Sequence, residues 1–104
     1  MIAKLVRDRI PDLIRAQGFE PIIRPTPASQ IGAYLLAKLH EEVAEFEASA
    51  DPEELADILE VVYALAEALD VSADCLDTMR ERKAVERGRF THYLIWLGNR
   101  GDAA

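Results

Sequence analysis

One segment of this chain, residues 52–69, is apolar around almost its whole circumference when drawn as a helix. Its start is well marked, because Asp51 is a preferred N-cap residue and Pro52 suits the first helical position. At about 100° per residue its apolar side chains form two faces, Leu55, Leu59, Val62, Ala66 and Leu69 on one and Val61, Ala64, Leu65 and Ala68 on the other. Only a narrow strip of Glu53, Glu60 and Glu67 is suited to water. Such a helix is buried on two sides, which predicts a helical bundle or a helix held between subunits.

Three further helices and two extended segments are predicted around this helix. Helical spacing and end signals mark residues 11–17, 29–49 and 72–87, with Gly18 and Gly88 as the stops after the first and last. Residues 20–27 contain three prolines, and residues 90–97 are rich in aromatic and β-branched side chains, so both favour extended chain. We therefore expect an all-α fold, a compact bundle of about four helices, with a short accessory strand pair formed by the two extended segments.

The length and composition are typical of one soluble domain. The chain has 104 residues, of which 50% are apolar and 30% are charged, and this predicts a single domain over residues 1–104. No stretch approaches the roughly 20 apolar residues that span a bilayer, and the first residues lack the apolar run of a signal peptide. Cys75 is the single cysteine, so no internal disulfide can form. We expect a cytoplasmic protein without a membrane partner.

Charge is divided unevenly along the chain. The formal net charge is −7, yet residues 39–79 carry thirteen Asp and Glu and no Lys or Arg. Residues 1–38 and residues 80–104 each carry six basic and three acidic residues. Divalent cations could neutralise part of the acidic centre while the basic flanks face phosphate; the alternative is a solvated acidic surface. The net charge and the lack of a continuous basic stripe argue against a nucleic-acid partner.

Glu42 lies in the middle of the apolar stripe of the second helix. That stripe comprises Ile31, Leu35, Leu39 and Phe46. A carboxylate in this position loses its hydration, which costs several kcal/mol unless a charged group compensates it. The compensating charge is either Lys38, four residues earlier, or a metal ion.

A second pair of acids, Glu54 and Asp57, lies one turn apart on the second apolar face of the third helix. Glu54 could complete a capping box with Asp51, and Asp57 could interact with the helix dipole, but neither reading explains the buried acid of the second helix. Two helices with carboxylates at i and i+3 can converge on a hard cation, for which we expect Mg²⁺ with Mn²⁺ as a substitute. Because the chain has only His40 and His92 and no cysteine cluster, zinc is not expected.

The acidic residues stand in a pattern that resembles a known family. The run LHEEVAE at residues 39–45 is followed by ELAD at residues 54–57. Together they resemble the EExxE…ExxD signature of the MazG-like, all-α nucleoside triphosphate pyrophosphohydrolases. The segments KLVRDRIP at residues 4–11 and KAVERGRF at residues 83–90 are similar to the branch labelled phosphoribosyl-ATP pyrophosphohydrolase-like. The resemblance covers residues 4–97.

This resemblance implies that water attacks the phosphate chain of a nucleotide, giving a nucleoside monophosphate and pyrophosphate. The implied Mg²⁺ ligands are Glu42, Glu45, Glu54 and Asp57. Glu41 or Glu45 would act as the catalytic base that accepts the proton. Basic residues would bind the phosphates, and the candidates are Lys4, Arg7, Lys38, Arg82 and Lys83. Glu60 is a weaker ligand candidate because it lies towards solvent, and only eight residues separate Glu45 from Glu54.

Two alternatives stay open on the sequence. One is the phosphoribosyl-ATP pyrophosphohydrolase of histidine biosynthesis, which would use the same metal chemistry with a different pocket. The other is a non-catalytic helical module whose acidic centre binds a basic protein. The third helix, apolar on two sides, also favours self-association as a homodimer or a dimer of dimers.

Overall fold

Helices make up the regular structure of this protein, whose computed structural model describes residues 3–101. In chain order they are α1 (Ile10–Ala16), a 3₁₀ turn (Ala28–Gln30), α2 (Ile31–Ser49), α3 (Pro52–Ala68) and α4 (Ala73–Arg87). The predicted all-α fold with four helices is confirmed. Within the described range, no helix is both long enough and apolar enough to cross a membrane.

The prediction of an accessory strand pair is wrong. Neither residues 20–27 nor residues 90–97 form a strand, and residues 3–101 contain none elsewhere. The large apolar side chains of the second segment are 81–93% exposed, so they bury little surface against the rest of residues 3–101. An isolated strand pair without a packed face is marginal in water, and prolines remove ladder donors from the first segment. Local β propensity was therefore not enough to form a sheet.

A helical hairpin of α2 and α3 provides the most extensive contact between elements. Ala50 closes α2 with a left-handed backbone (φ 53°), and its N–H donates to the Phe46 carbonyl at 2.8 Å. Asp51 opens α3 as the expected N-cap, since its side chain accepts from the Glu53 N–H at 3.0 Å. The chain turns within these two residues, so the end of α2 lies beside the start of α3.

The apolar core between the helices is small. Leu35, Val61 and Ala66 are the buried apolar residues of the described chain, at 7–8% exposure. On the first apolar face of α3, Leu55 and Leu59 are still 49% and 48% exposed. The expected burial of α3 on two sides is therefore only partly achieved within one chain.

The helices form a compact body, but the chain as a whole is elongated. Its Cα radius of gyration is 18.8 Å and its longest extent is 65 Å. A globular domain of about 100 residues has a radius of gyration of about 13 Å. Much apolar surface, including that of residues 90–97, is consequently left in contact with water.

Candidate metal centre

Five carboxylates converge where the second half of α2 meets the first half of α3. Oxygens of Glu42, Glu54 and Asp57 lie within 4.8 Å of one another, and so do oxygens of Glu41, Glu42 and Glu45. Glu42 belongs to both groups and joins them. The structure thus brings together all four carboxylates that the resemblance implies as metal ligands, along with Glu41.

The local fold explains this convergence. Residues three apart on a helix lie on the same side, so Glu42 with Glu45 and Glu54 with Asp57 each form a pair along one helix face. The short connection at Ala50 and Asp51 brings the two pairs together. The eight-residue spacing between Glu45 and Glu54 therefore accommodates the cluster without a longer loop.

Glu42 is buried, and its two oxygens have different surroundings. Its residue exposure is 6%, and Lys38 Nζ lies 3.2 Å from Oε1. The second oxygen, Oε2, is buried and has no hydrogen-bond partner within the described part of the chain. Of the two compensators considered from the sequence, Lys38 is therefore present and pairs with one oxygen, while the other oxygen is left without a partner among the described residues. A buried unpaired carboxylate oxygen is costly, and it fits the oxygen donor set of a hard cation.

Glu54 also has a buried oxygen, Oε2, that accepts no hydrogen bond from a donor in residues 3–101. The capping-box interpretation of this residue is not supported, because the Asp51 N–H donates to Ser49 Oγ at 3.1 Å. Desolvation, followed by a hydrogen bond of protonated Glu54 with Glu45 and by the charges of Glu45, Asp57 and Glu42, raises the pKa of Glu54 to about 7. A cation among these groups would relieve the repulsion that raises this pKa.

This raised pKa predicts how the metal-free protein responds to pH. Between 4.5, the ordinary value, and about 7, the folded state keeps a proton on Glu54 that the unfolded state has lost. The free energy of unfolding should therefore fall as the pH rises through this window, and the loss should be complete above it. Thermal melts in EDTA at about pH 5 and about pH 8, compared with those of Glu54→Gln, measure this contribution. A variant with the same pH dependence as the parent would contradict the prediction.

Three of the predicted basic residues contact the carboxylates. Lys4 Nζ and Lys38 Nζ lie 3.3 Å and 3.4 Å from Glu41 Oε1, and Arg7 Nη2 lies 2.8 Å from Asp57 Oδ1. Burial would raise the pKa of Glu41, but the two lysines outweigh it and lower that pKa. Burial likewise opposes the charge of Lys38, but Glu42 and Glu41 outweigh it and raise the Lys38 pKa. The basic N-terminal segment is therefore held against the acidic cluster by ion pairs.

The other candidate residues lie elsewhere. Arg82 and Lys83 are exposed on α4, and within residues 3–101 neither forms an ion pair with the carboxylates. Glu60 is exposed as expected and lines a cavity of about 240 Å³ beside Glu42 and Asp57, but it belongs to neither carboxylate group. His40 is exposed on α2. Three of the five phosphate-binding candidates therefore lie at the carboxylate cluster, and the other two, Arg82 and Lys83, lie away from it.

Sequence reasoning missed a cavity of about 460 Å³ next to the centre. Its walls come from residues 3–8 and 22–26 and from Tyr34. The segment at residues 22–26 was expected to pair as a strand, and instead it faces the N-terminal segment. No periodicity in either segment could reveal this, because the contact joins two irregular segments through tertiary structure.

Comparison with known proteins adds a partial match. A protein of Mycolicibacterium smegmatis, described as an uncharacterized protein, is 56% identical over 48 residues. The match covers 46% of this chain and 49% of that protein, so the chain aligns with about half the length of this relative. The chain matches no protein-family model, and no solved structure matches it. The resemblance to the MazG-like enzymes therefore remains a prediction from the motifs.

Proposed function

We propose that this protein is a Mg²⁺-dependent nucleotide pyrophosphohydrolase of the MazG-like type, which converts a nucleoside triphosphate, canonical or modified, to a nucleoside monophosphate and pyrophosphate. The observation that carries the proposal is Glu42, a buried carboxylate at the junction of two carboxylate groups, with one oxygen that has no hydrogen-bond partner among residues 3–101. An acidic surface that serves only solubility would not bury a carboxylate, because burial of an uncompensated charge costs free energy.

The donor set supports Mg²⁺, with Mn²⁺ as a substitute, because every candidate ligand is a carboxylate oxygen. Glu42, Glu45, Glu54 and Asp57 would hold the ion. When bound, the ion offsets phosphate charge and makes a bound water more acidic. The raised pKa of Glu54, about 7, implies that a cation competes with a proton for this group.

The basic residues at the cluster are proposed to bind phosphate. Lys4, Arg7 and Lys38 already lie within 3.4 Å of carboxylate oxygens, so each can turn from a carboxylate to a phosphate oxygen without a large movement. Arg7 suits this role because its planar guanidinium can bind two oxygens at once. Arg82 and Lys83 lie away from the cluster of the same chain, and they would reach a phosphate only through a second copy.

Of the two candidate catalytic bases, we propose that Glu45 rather than Glu41 accepts the proton. The lysines that pair with Glu41 lower its pKa, which makes that carboxylate a weaker base. Glu45 is exposed and is adjacent to Glu42 in the cluster. We therefore propose that Glu45 accepts the proton of the attacking water and that Glu41 holds Lys4 and Lys38 in place.

The test is pyrophosphate release from a panel of canonical and modified nucleoside triphosphates together with phosphoribosyl-ATP, with Mg²⁺ and with EDTA. Release that requires Mg²⁺ supports the proposal, and the preferred substrate separates the general enzyme from the histidine-pathway alternative. A folded protein that releases no pyrophosphate from any of them would favour the alternative of an acidic binding module.

We also propose that the protein is cytoplasmic and that it self-associates as a homodimer or a dimer of dimers. The C-terminal arm, defined as residues 90–97, exposes six large apolar side chains, and the start of α3 exposes Leu55 and Leu59. The arm itself has no Lys, Arg, Asp or Glu, but residues 80–89 just before it carry five basic and two acidic residues, whereas residues 39–79 carry thirteen acidic and no basic ones. The chain next to the arm and the acidic part of the α2–α3 hairpin therefore have complementary charge. In a twofold arrangement each arm can cover the α2–α3 hairpin of the other copy, so the apolar side chains of the arm and of α3 are buried together.

A further inference from the structure

The cavity of about 460 Å³ lies between the N-terminal segment and residues 22–26, with Tyr34 of α2 at its edge. Its volume is in the range of about 300–1,000 Å³ that small-molecule sites occupy. Ile22 and Ile23 lie at its rim and are 91% and 53% exposed, so both leave apolar surface in contact with water. A ligand in the cavity would cover them.

Two residues that line this cavity also contact the candidate metal centre. Lys4 and Arg7 line it, and their charged groups reach Glu41 at 3.3 Å and Asp57 at 2.8 Å. A second cavity, of about 240 Å³, includes Arg7 together with Glu42 and Asp57. A molecule whose phosphates lie beside the carboxylates can therefore extend past Lys4 and Arg7 into the larger space.

The lining has the chemistry of a site for a planar heteroaromatic group. Leu5, Val6 and the two isoleucines offer aliphatic surface for its faces, and Tyr34 offers an aromatic ring. Arg24 donates to Tyr34 Oη at 3.1 Å and also lines the cavity, so a donor is held at its edge. Lys4, Arg7 and Arg24 place positive charge at the lining and Asp8 places a negative one, so the cavity suits a ligand with polar atoms better than a purely aliphatic one.

We propose that this cavity binds the nucleoside part of the nucleotide, with the base between the aliphatic wall and Tyr34 and the phosphates leaving past Lys4 and Arg7. The placement of the phosphates rests on the proposed function. The cavity makes base and ribose contacts with residues outside the acidic motifs, so it would determine which nucleotide is preferred.

The experiment compares Ile22→Asp and Arg24→Ala with the parent and with Val85→Asp, a control at a 79% exposed position on α4. Ile22 is exposed, so the substitution is compatible with folding. We expect Ile22→Asp to raise KM for the best nucleoside triphosphate about tenfold with little change in kcat, because one apolar contact to the base is replaced by a charge. Hydrolysis of inorganic tripolyphosphate, which has no nucleoside, should not change.

Equilibrium binding of the α,β-methylene analogues of the nucleoside triphosphates in the panel, in the presence of Mg²⁺, tests the cavity without turnover. Weaker binding by Ile22→Asp than by Val85→Asp supports the proposal even if no pyrophosphate is released, in which case the proposed function alone fails. Pyrophosphate release with unchanged KM and unchanged analogue binding in both cavity variants overturns the cavity proposal and leaves the proposed function standing. Absence of analogue binding by the parent also overturns it.

Discussion

Replacement of Glu42 by Gln is expected to lower Mg²⁺-dependent pyrophosphate release by about a hundredfold or more. Glutamine keeps the shape of the side chain and an oxygen that can accept from Lys38, which lies 3.2 Å from Oε1 in the parent. It removes the negative charge and turns an NH₂ group towards the position of the unpaired Oε2. The cation would lose a central ligand because Glu42 belongs to both carboxylate groups.

The same substitution should leave the metal-free protein folded. It removes a charge that repels the neighbouring carboxylates, and this gain offsets the weaker interaction with Lys38. Far-UV circular dichroism and thermal melts in EDTA check the fold, while pyrophosphate release checks the activity. Glu47→Gln is the matched control, since Glu47 is exposed on the same helix and lies outside both carboxylate groups. Near-parental rates for Glu42→Gln would remove this residue from the set of ligands.

Loss of the apolar surface of the C-terminal arm is expected to convert an oligomer to a monomer. The double substitution Leu94→Ser and Trp96→Ser removes two side chains that are 88% and 81% exposed within one chain. Full burial of a large apolar side chain contributes about 1.5–3 kcal/mol, so two of them can change a dissociation constant by several powers of ten. Because both residues are exposed in the monomer, the fold of the single chain should be unaffected.

Sedimentation velocity or light scattering at several protein concentrations measures this change in mass. Leu13→Ser is the control, because Leu13 is a 56% exposed leucine of α1 outside the arm and the α3 face. The parent should have at least twice the mass of the double variant, and Leu13→Ser should match the parent. A parent that stays monomeric across the concentration range, or a double variant with unchanged mass, would contradict the proposed role of the arm.

Helices α2 and α3 were predictable because their information is local. The spacing of apolar residues defines both helices, and Asp51 with Pro52 marks the start of α3, where the Asp51 cap is found. The pairing of acids at i and i+3 follows from the same geometry, so Glu42 could be recognised as a carboxylate on an apolar stripe before its burial was known. The irregular segments have no such periodicity, and their β propensity led to a strand pair that does not form.

The helices, the side of each helix that carries carboxylates, and the position of Glu42 on an apolar stripe could all be read from the amino-acid order. The contacts of Lys4 and Arg7 with the acids could not, because their partners are 37 and 50 residues away in the chain. The same holds for the cavity that residues 3–8 and 22–26 line and for the half-exposed leucines at the start of α3. Helix formation depends on neighbours within one or two turns, whereas these contacts depend on how distant segments pack.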